Sequence, residues 1–304
     1  MQLIKPDVNI DFVGKRKGAL VVSLALILIG LVSLVIKGGP DYGIDFSGGT
    51  LVQVKFAEST DAAAIKTALE GIELGNPVVQ SFGDDQNEFL IRVEQASAEL
   101  QGLSTQIRDA LTQAYAEDSV DIRRVEMVGP QVGKDLRNKG VKAIFYAMLG
   151  ILVYISWRFE FRFAIGAIVA LVHDVLITLG AFSVFGKEID LPIIAAFLAI
   201  IGYSLNDTII VYDRIRENTG KHNKETFPFI VNRSINETLS RTILTSGTTL
   251  LVVLALFILG GGVIHNFAFA MLVGVLIGTY SSIFVASPVL ILWHQKKGAS
   301  GKAK

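Results

Sequence analysis

Charged residues leave long gaps in this sequence. Residues 18–36 form a run of 19 without Asp, Glu, Lys or Arg, and residues 143–157 form another of 15, bounded by Lys142 and Arg158. Residues 163–186 are interrupted only by His173 and Asp174, and residues 191–212 only by Asp207. The last gap, 242–293, is 52 residues long. A helix that crosses a bilayer needs about 20 apolar residues, so this gap holds two. Gly260-Gly261-Gly262 is the natural break, with Ile264-His265-Asn266 completing the turn. The pattern predicts six transmembrane helices, at about 18–36, 143–157, 163–186, 191–212, 242–260 and 266–293. Lys139 and Lys142 can snorkel at the outer end of the second. The first run is longer than a signal-peptide h-region, and no A-x-A-like site follows it directly, so it reads as an uncleaved anchor.

Segment 37–142 has other periods. Alternation predicts strands at 51–56, 77–82, 89–93 and 120–128; in the first, Val52, Val54 and Phe56 share one face. Ser59-Thr60-Asp61 caps a helix over 62–69, and residues 83–87 read as a turn. A second helix is expected over 97–117, with Leu100, Leu103, Ile107, Leu111 and Tyr115 on one face. The order βαββαβ is the ferredoxin-like pattern. The fold class is therefore a polytopic α-helical membrane protein with six transmembrane helices. One extracytoplasmic α+β domain, residues 37–142, lies between the first and second. Nothing in that domain reads as catalytic; it suits protein contact.

The chain has 304 residues, 51% of them hydrophobic, with 28 basic and 28 acidic side chains. Its mean hydropathy is +0.51. Zero net charge argues against nucleic-acid binding, which needs a basic surface. Cysteine is absent, and the four histidines (173, 222, 265 and 294) have no metal-ligand spacing, so no cofactor or metal is expected. No G-x-x-x-x-G-K-[ST] phosphate loop occurs. Charge placement gives orientation. Residues 1–17, the 157–162 loop, the 213–241 loop and the 294–304 tail together hold 16 Lys and Arg. Short basic segments stay in the cytoplasm, so both termini are expected there. Segment 37–142 then faces outward with a net charge of −6.

An ionisable group in mid-membrane costs about 2.5–3.5 kcal/mol on insertion scales, so each one needs a reason. Asp207 lies five residues from the cytoplasmic end of its span, with Tyr203 and Ser204 on its face and Asn206 beside it. It reads as a titrating carboxylate on a proton path; the alternative is interhelical hydrogen bonding, which Asn or Ser would provide at lower cost. Arg241 stands at the entrance of the fifth span, followed by a hydroxyl stripe of Thr245, Thr248 and Thr249. Burial raises a carboxylate's pKa and a nearby Arg lowers it, so Arg241 is a candidate partner for Asp207; the alternative is a lipid-facing anchor. His173 and Asp174 lie near the middle of the third span, and Asp174 shares a small, polar face with Ala167, Ala170, Thr178 and Ala181. They read equally as a relay or a structural pair. Ala270, Gly274, Gly278, Ser282 and Ala286 recur every fourth residue, a small-residue ridge for helix packing. Ile230, Val231, Ile235 and Leu239 suggest an amphipathic helix starting at Thr226, either on the membrane surface or within a loop.

GYSLNDTIIVYDRIREN at 202–218 resembles the signature of the SecF family, accessory subunits of the bacterial Sec protein translocase. The resemblance runs nearly end to end: GIDFSGGT at 43–50, VGPQVGKDLRNKG at 128–140, WRFEFRF at 157–163, LVHDV at 171–175, EIDL at 188–191 and RTILTSGTTL at 241–250 keep the family's order. It implies the resistance-nodulation-division superfamily and a stand-alone subunit rather than a fusion. The implied location is the bacterial inner membrane. The implied partners are SecD, the SecYEG channel, YajC and the translocating preprotein. The implied work is to couple the proton motive force to late steps of export, without enzyme activity, and Asp207 and Arg241 fall where the family's proton path lies. The alternative function is half of a proton-coupled exporter of small molecules or lipids.

Overall fold

The computed structural model describes residues 8–72, 74, 77–82, 87–93, 100–116, 119–222 and 224–301. Residues 83–86 of the expected turn, and 97–99 and 117 of the expected second helix, lie outside them. Six helices are long and apolar enough to cross a membrane. In chain order the elements are α1 (Arg16–Lys37), a short α2 (Ile44–Ser47), β1 (Gly49–Phe56), α3 (Ala62–Ala68), β2 (Val78–Ser81), β3 (Glu88–Val93), α4 (Leu100–Tyr115) and β4 (Val120–Val128). They are followed by α5 (Pro130–Arg158), α6 (Phe161–Val184), α7 (Leu191–Lys221), α8 (Phe227–Leu259), α9 (Gly262–Ser281), a π-helical turn (Ser282–Ala286) and α10 (Ser287–Gly301). The last three form one continuous rod. The start of α1, the α5–α6 and α7–α8 turns and the end of α10 share one face of the bundle, here the terminal face, and the sheet domain sits on the opposite face.

In the sheet domain the strands order as β2-β3-β1-β4, all antiparallel. Alternation sends Val52, Val54, Phe56, Phe89, Ile91 and Val93 to one side, where α3 and α4 cover them with Ile65, Leu69, Leu103, Ile107 and Leu111. The strand order and both helices follow the βαββαβ pattern. Asp61 caps α3 by accepting from the Ala64 N–H at 2.7 Å. Helix α1 reaches the domain through Gly38 and Gly39, both at positive φ (77° and 135°), which glycine adopts without a Cβ clash.

Helix boundaries differ from the sequence reading in three places. Helix α5 starts at Pro130, one residue after β4, so the expected 143–157 span is the second half of a 29-residue helix. Pro is well placed there because its missing N–H falls in the unbonded first turn. Ile264-His265-Asn266 are helical rather than a turn. Extended Gly260 and Gly261 complete the reversal alone, and α9 has already begun at Gly262. The 213–241 segment is mostly helix, as α7 runs on to Lys221 and α8 begins at Phe227. The amphipathic stretch from Thr226 is thus the first half of α8. Its Val231, Ile235 and Leu239 pack in one cluster with Tyr212, Ile215 and Leu290, and Ile230 is buried too, so this face is not turned to a lipid surface. Polar clamps hold this helical hairpin: Arg214 Nε meets Glu237 Oε2 at 2.6 Å, and Asn218 donates to Ser234 Oγ at 3.0 Å. Asn232 and Asn236 on α8 also grip the chain before α1, accepting from the N–H groups of Ile10, Phe12 and Val13.

The sheet domain is tied to the bundle by main chain and charge. Gly43 N–H donates to Ile189 O at 2.9 Å, and Ile189 N–H to Asp41 O at 2.8 Å. Arg92 on β3 donates to Tyr42 O at 2.7 Å and pairs with Glu188 Oε1 at 3.0 Å. Beside this joint lies a cleft of about 650 Å³ between the sheet and the α6–α7 and α8–α9 turns. Asp190 in the joint caps α7, accepting from Ile193 N–H at 3.1 Å. Burial pushes its carboxyl up to about 6, despite the Ile193 N–H, and the Asp45 and Glu188 charges push the same way. The native pKa lies above the ordinary 3.8, so the folded state binds this proton more tightly than the unfolded state does. Stability from this group therefore falls as pH rises between the two values and is recovered on acidification. Relative to Asp190→Asn, which keeps the cap, the native chain should gain thermal stability between about pH 8 and about pH 5, read as the difference in unfolding midpoints. A parallel pH response in both proteins would contradict this.

Candidate functional site

Two apolar clusters divide the bundle. One gathers Phe163, Leu171, Tyr212, Ile215, Val231 and Leu290 towards the terminal face. The other gathers Phe182, Ile193, Phe197, Ile200 and Ala270 towards the sheet domain. Between them runs a layer of hydroxyls holding two buried carboxylates. Small residues let the helices approach closely enough to build it. A Cβ on Gly278 would lie 2.8 Å from Ser204 Cβ, and one on Gly274 2.3 Å from Ile200 Cγ1. The four-residue ridge read from the sequence therefore packs against α7.

Asp174 on α6 is fully buried. Its Oδ2 accepts from Ser204 Oγ of α7 at 2.6 Å and from Ser281 Oγ of α9 at 2.8 Å. Its Oδ1 lies 2.8 Å from His173 Nδ1, and His173 Nε2 lies 3.0 Å from Ser23 Oγ of α1. Tyr280 stacks on the His173 ring at 6.0 Å and donates to Ala19 O at 2.6 Å. Ala167, Ala170 and Thr178 are buried on the same side of α6, as the spacing predicted.

Asp207 on α7 is 1% exposed. Its Oδ2 accepts from Ser246 Oγ of α8 at 3.3 Å, and Ser246 Oγ lies 2.7 Å from Thr279 Oγ1 of α9. Its Oδ1 has no hydrogen-bond partner among the described residues, and neither does Thr242 Oγ1 one turn before Ser246. A buried carboxylate with one bare oxygen is an incompletely solvated charge, and its open lone pairs can receive a proton. Arg241 is exposed and forms neither an ion pair nor a hydrogen bond with Asp207, although its charge lies within electrostatic reach. It lines a second cleft, of about 480 Å³, on the terminal face with Asn206, Asp213, Glu217 and Glu237.

The structure regroups the residues singled out in the sequence. Ser204 turns to Asp174 rather than to Asp207. Tyr203 keeps a buried hydroxyl without a partner among the described residues. Asn206 is exposed in the terminal-face cleft. Thr245, Thr248 and Thr249 bond back to carbonyls of their own helix, Arg241 O and Thr242 O in the case of Thr245. That local bonding satisfies a hydroxyl in an apolar setting without any partner helix. The inward stripe of α8 is Thr242 and Ser246, one position round. Ser23, Ser246, Thr279, Tyr280 and Ser281 join the layer without standing out in the sequence pattern. The signal for three of them was Thr279-Tyr280-Ser281-Ser282, four polar residues together in an apolar span.

A family description, protein export membrane protein SecD/SecF C-terminal, matches residues 107–296, and the SecD/SecF GG motif matches residues 32–60. The protein translocase subunit SecF of Magnetococcus marinus is 52% identical over 96% of this chain and 94% of its own length. The chain belongs to the SecF family. The SecF subunits of Desulfurispirillum indicum and Pseudomonas aeruginosa are 49% and 43% identical, over 94% and 93% of this chain and 92% and 91% of their own lengths. The crystal structure of Thermus thermophilus SecDF, a translocon-associated membrane protein, superposes with a TM-score of 0.86 at 36% identity, covering 96% of this chain. SecDF in a super-membrane-facing form gives 0.72, covering all of it. The chain spans 40% and 41% of the length of those solved chains. Family membership and six apolar helices make it a multi-pass membrane protein. The relatives' common name favours protein export over export of small molecules or lipids.

One Gly-Gly pair within the matched segment 32–60 has a visible structural purpose. Gly48 and Gly49 have φ of 75° and 116°, and a Cβ on Gly48 would lie 2.8 Å from Pro130 Cα. Bare backbone there lets the entry to β1 rest on the first turn of α5.

Proposed function

We propose that this SecF-family chain works with a SecD partner and the SecYEG channel, with YajC as a further associate, to couple the proton motive force to late steps of protein export. Its place is the bacterial inner membrane, with both termini in the cytoplasm and the sheet domain outside; the basic terminal segments support that orientation. No hydrolytic step is needed. Asp207 is the carrier in this reading, Arg241 and Asn206 guard its cytoplasmic exit, and Asp174 with His173 and Ser204 lies further along the path. The observation that carries the reading is Asp207 Oδ1, buried and without a partner among the described residues, behind a cleft lined by Arg241.

Arg241→Met tests it in inverted membrane vesicles. The side chain is exposed, so the variant should accumulate normally and copurify with SecD. Stimulation of export by a proton gradient should fall to near the level seen without a gradient. Undiminished stimulation, or purification of the native chain free of any SecD or SecYEG subunit, would overturn the assignment.

A further inference from the structure

Helix α1 is one of two covalent routes between the bundle and the sheet domain, the other being α5. Most of its apolar side chains face outward, and its two buried residues are Ser23 and Gly30. Both face α6. Gly30 lies so close to Gly180 that a Cβ on it would stand 2.6 Å from the Gly180 Cα. Ser33 and Ser183 share a hydrogen bond at 2.8 Å near the domain end of the seam. Ser23 lies towards the other end, 3.0 Å from His173 Nε2 and 3.1 Å from Tyr280 Oη. The chain before α1 is gripped by Asn232 and Asn236 of α8. Helix α1 is therefore held at its foot, contacts the carboxylate layer at one buried polar side chain, and leads into the sheet domain at its far end.

We propose that Ser23 is a positioning residue that couples the proton occupancy of Asp174 to helix α1 through His173. The proposal rests on the proton-driven reading above. Hydrogen-bond chemistry supplies the coupling. With Asp174 ionised, a neutral His173 donates from Nδ1 to Asp174 Oδ1, so its Nε2 is an acceptor and takes the Ser23 O–H. When one proton enters, it ends on His173 Nε2 and the former Nδ1 proton passes to Asp174 Oδ1. Asp174 is then neutral and donates to a bare Nδ1, and His173 has exchanged one tautomer for the other. Its Nε2–H now points at Ser23 Oγ, which must stop donating and accept.

The Ser23 proton has a ready alternative. Tyr280 Oη donates to Ala19 O, leaving its lone pairs open to Ser23 at 3.1 Å. One proton on Asp174 thus reverses the polarity of the contact between α6 and α1 and redirects the Ser23 O–H from α6 to α9. The other groups around the pair are Thr178 on the same helix, Ser204 on α7 and Ser281 on α9. None is titratable; the nearest carboxylate on α7 is Asp207, one turn beyond Ser204.

The test uses the complete complex in inverted vesicles. Ser23→Ala should reduce gradient-stimulated export by about tenfold, within what one proton crossing 100 mV can drive, while export without a gradient stays at the native level. Ser23→Thr, which restores the hydroxyl, should recover most of the loss. Native stimulation in the Ala variant, or no recovery with Thr, would overturn the proposal. A second measurement does not depend on the variants: the ¹⁵N resonances of His173 in the native complex should exchange their protonated and bare nitrogens as pH falls. A fixed tautomer across the range in which export responds would also overturn it. The two readings fail separately. A native complex with no gradient stimulation sinks the proton-driven function, whereas native stimulation that survives Ser23→Ala sinks only the coupling.

Discussion

Asp207→Asn is expected to leave a folded, SecD-associated chain that no longer responds to a proton gradient. The substitution nearly preserves shape, and the amide oxygen can still accept from Ser246. It removes only the capacity to gain and lose a proton. One proton crossing 100 mV supplies about 2.3 kcal/mol, enough to shift a two-state equilibrium by more than tenfold. Removing the carrier should therefore cost roughly that factor in gradient-stimulated export, with little change in export measured without a gradient. Export in inverted vesicles, with and without an uncoupler, reads the difference. Full stimulation in the Asn variant would leave Asp207 as interhelical glue and remove it from the path.

The largest structural effect is expected at Gly180. A Cβ there would stand 2.8 Å from Gly30 Cα, so backbone meets backbone and no side chain can rotate away. Gly180→Val must push α1 from α6, straining Ser33–Ser183 at 2.8 Å and Ser23–His173 at 3.0 Å. Overpacking a tight contact costs about 1–3 kcal/mol and more where nothing can shift, so a loss at or above the upper figure is expected. Thermal unfolding in detergent, or protease resistance of α1, should show it. A native midpoint would mean that the seam is looser than its geometry implies.

Much of this architecture was legible as sequence. Charge-free runs locate membrane helices because a buried charge is costly, and alternation locates strands because successive side chains face opposite ways. Pairings between distant positions were not legible. The 213–241 segment carries ten charges, which reads as loop, yet Arg214, Asn218 and Glu237 face one another and keep it helical. The carboxylates stood out because ionisable residues are rare inside spans. Their partners did not, since a hydroxyl that bonds its own helix and one that reaches a neighbour are the same letter in sequence. Thr245 and Ser246 are adjacent, and only rotation about the helix axis decides which meets Asp207. Gly30 and Gly180 are 150 positions apart, and either alone is an ordinary glycine in an apolar run.

The immediate passage from β4 into α5 sets a mechanical ratio. Helix α5 is 29 residues long, or about 43 Å at 1.5 Å per residue. Gly129 is the one residue between strand and helix, and the Gly48–Pro130 contact braces the junction. There is no slack to absorb a tilt. A rotation of about 5° at the foot of such a rod carries its head through about 4 Å, larger than a hydrogen-bond length. With no slack at the junction, a tilt of α5 by that much would reach the sheet as a displacement on the scale of a polypeptide's residue spacing.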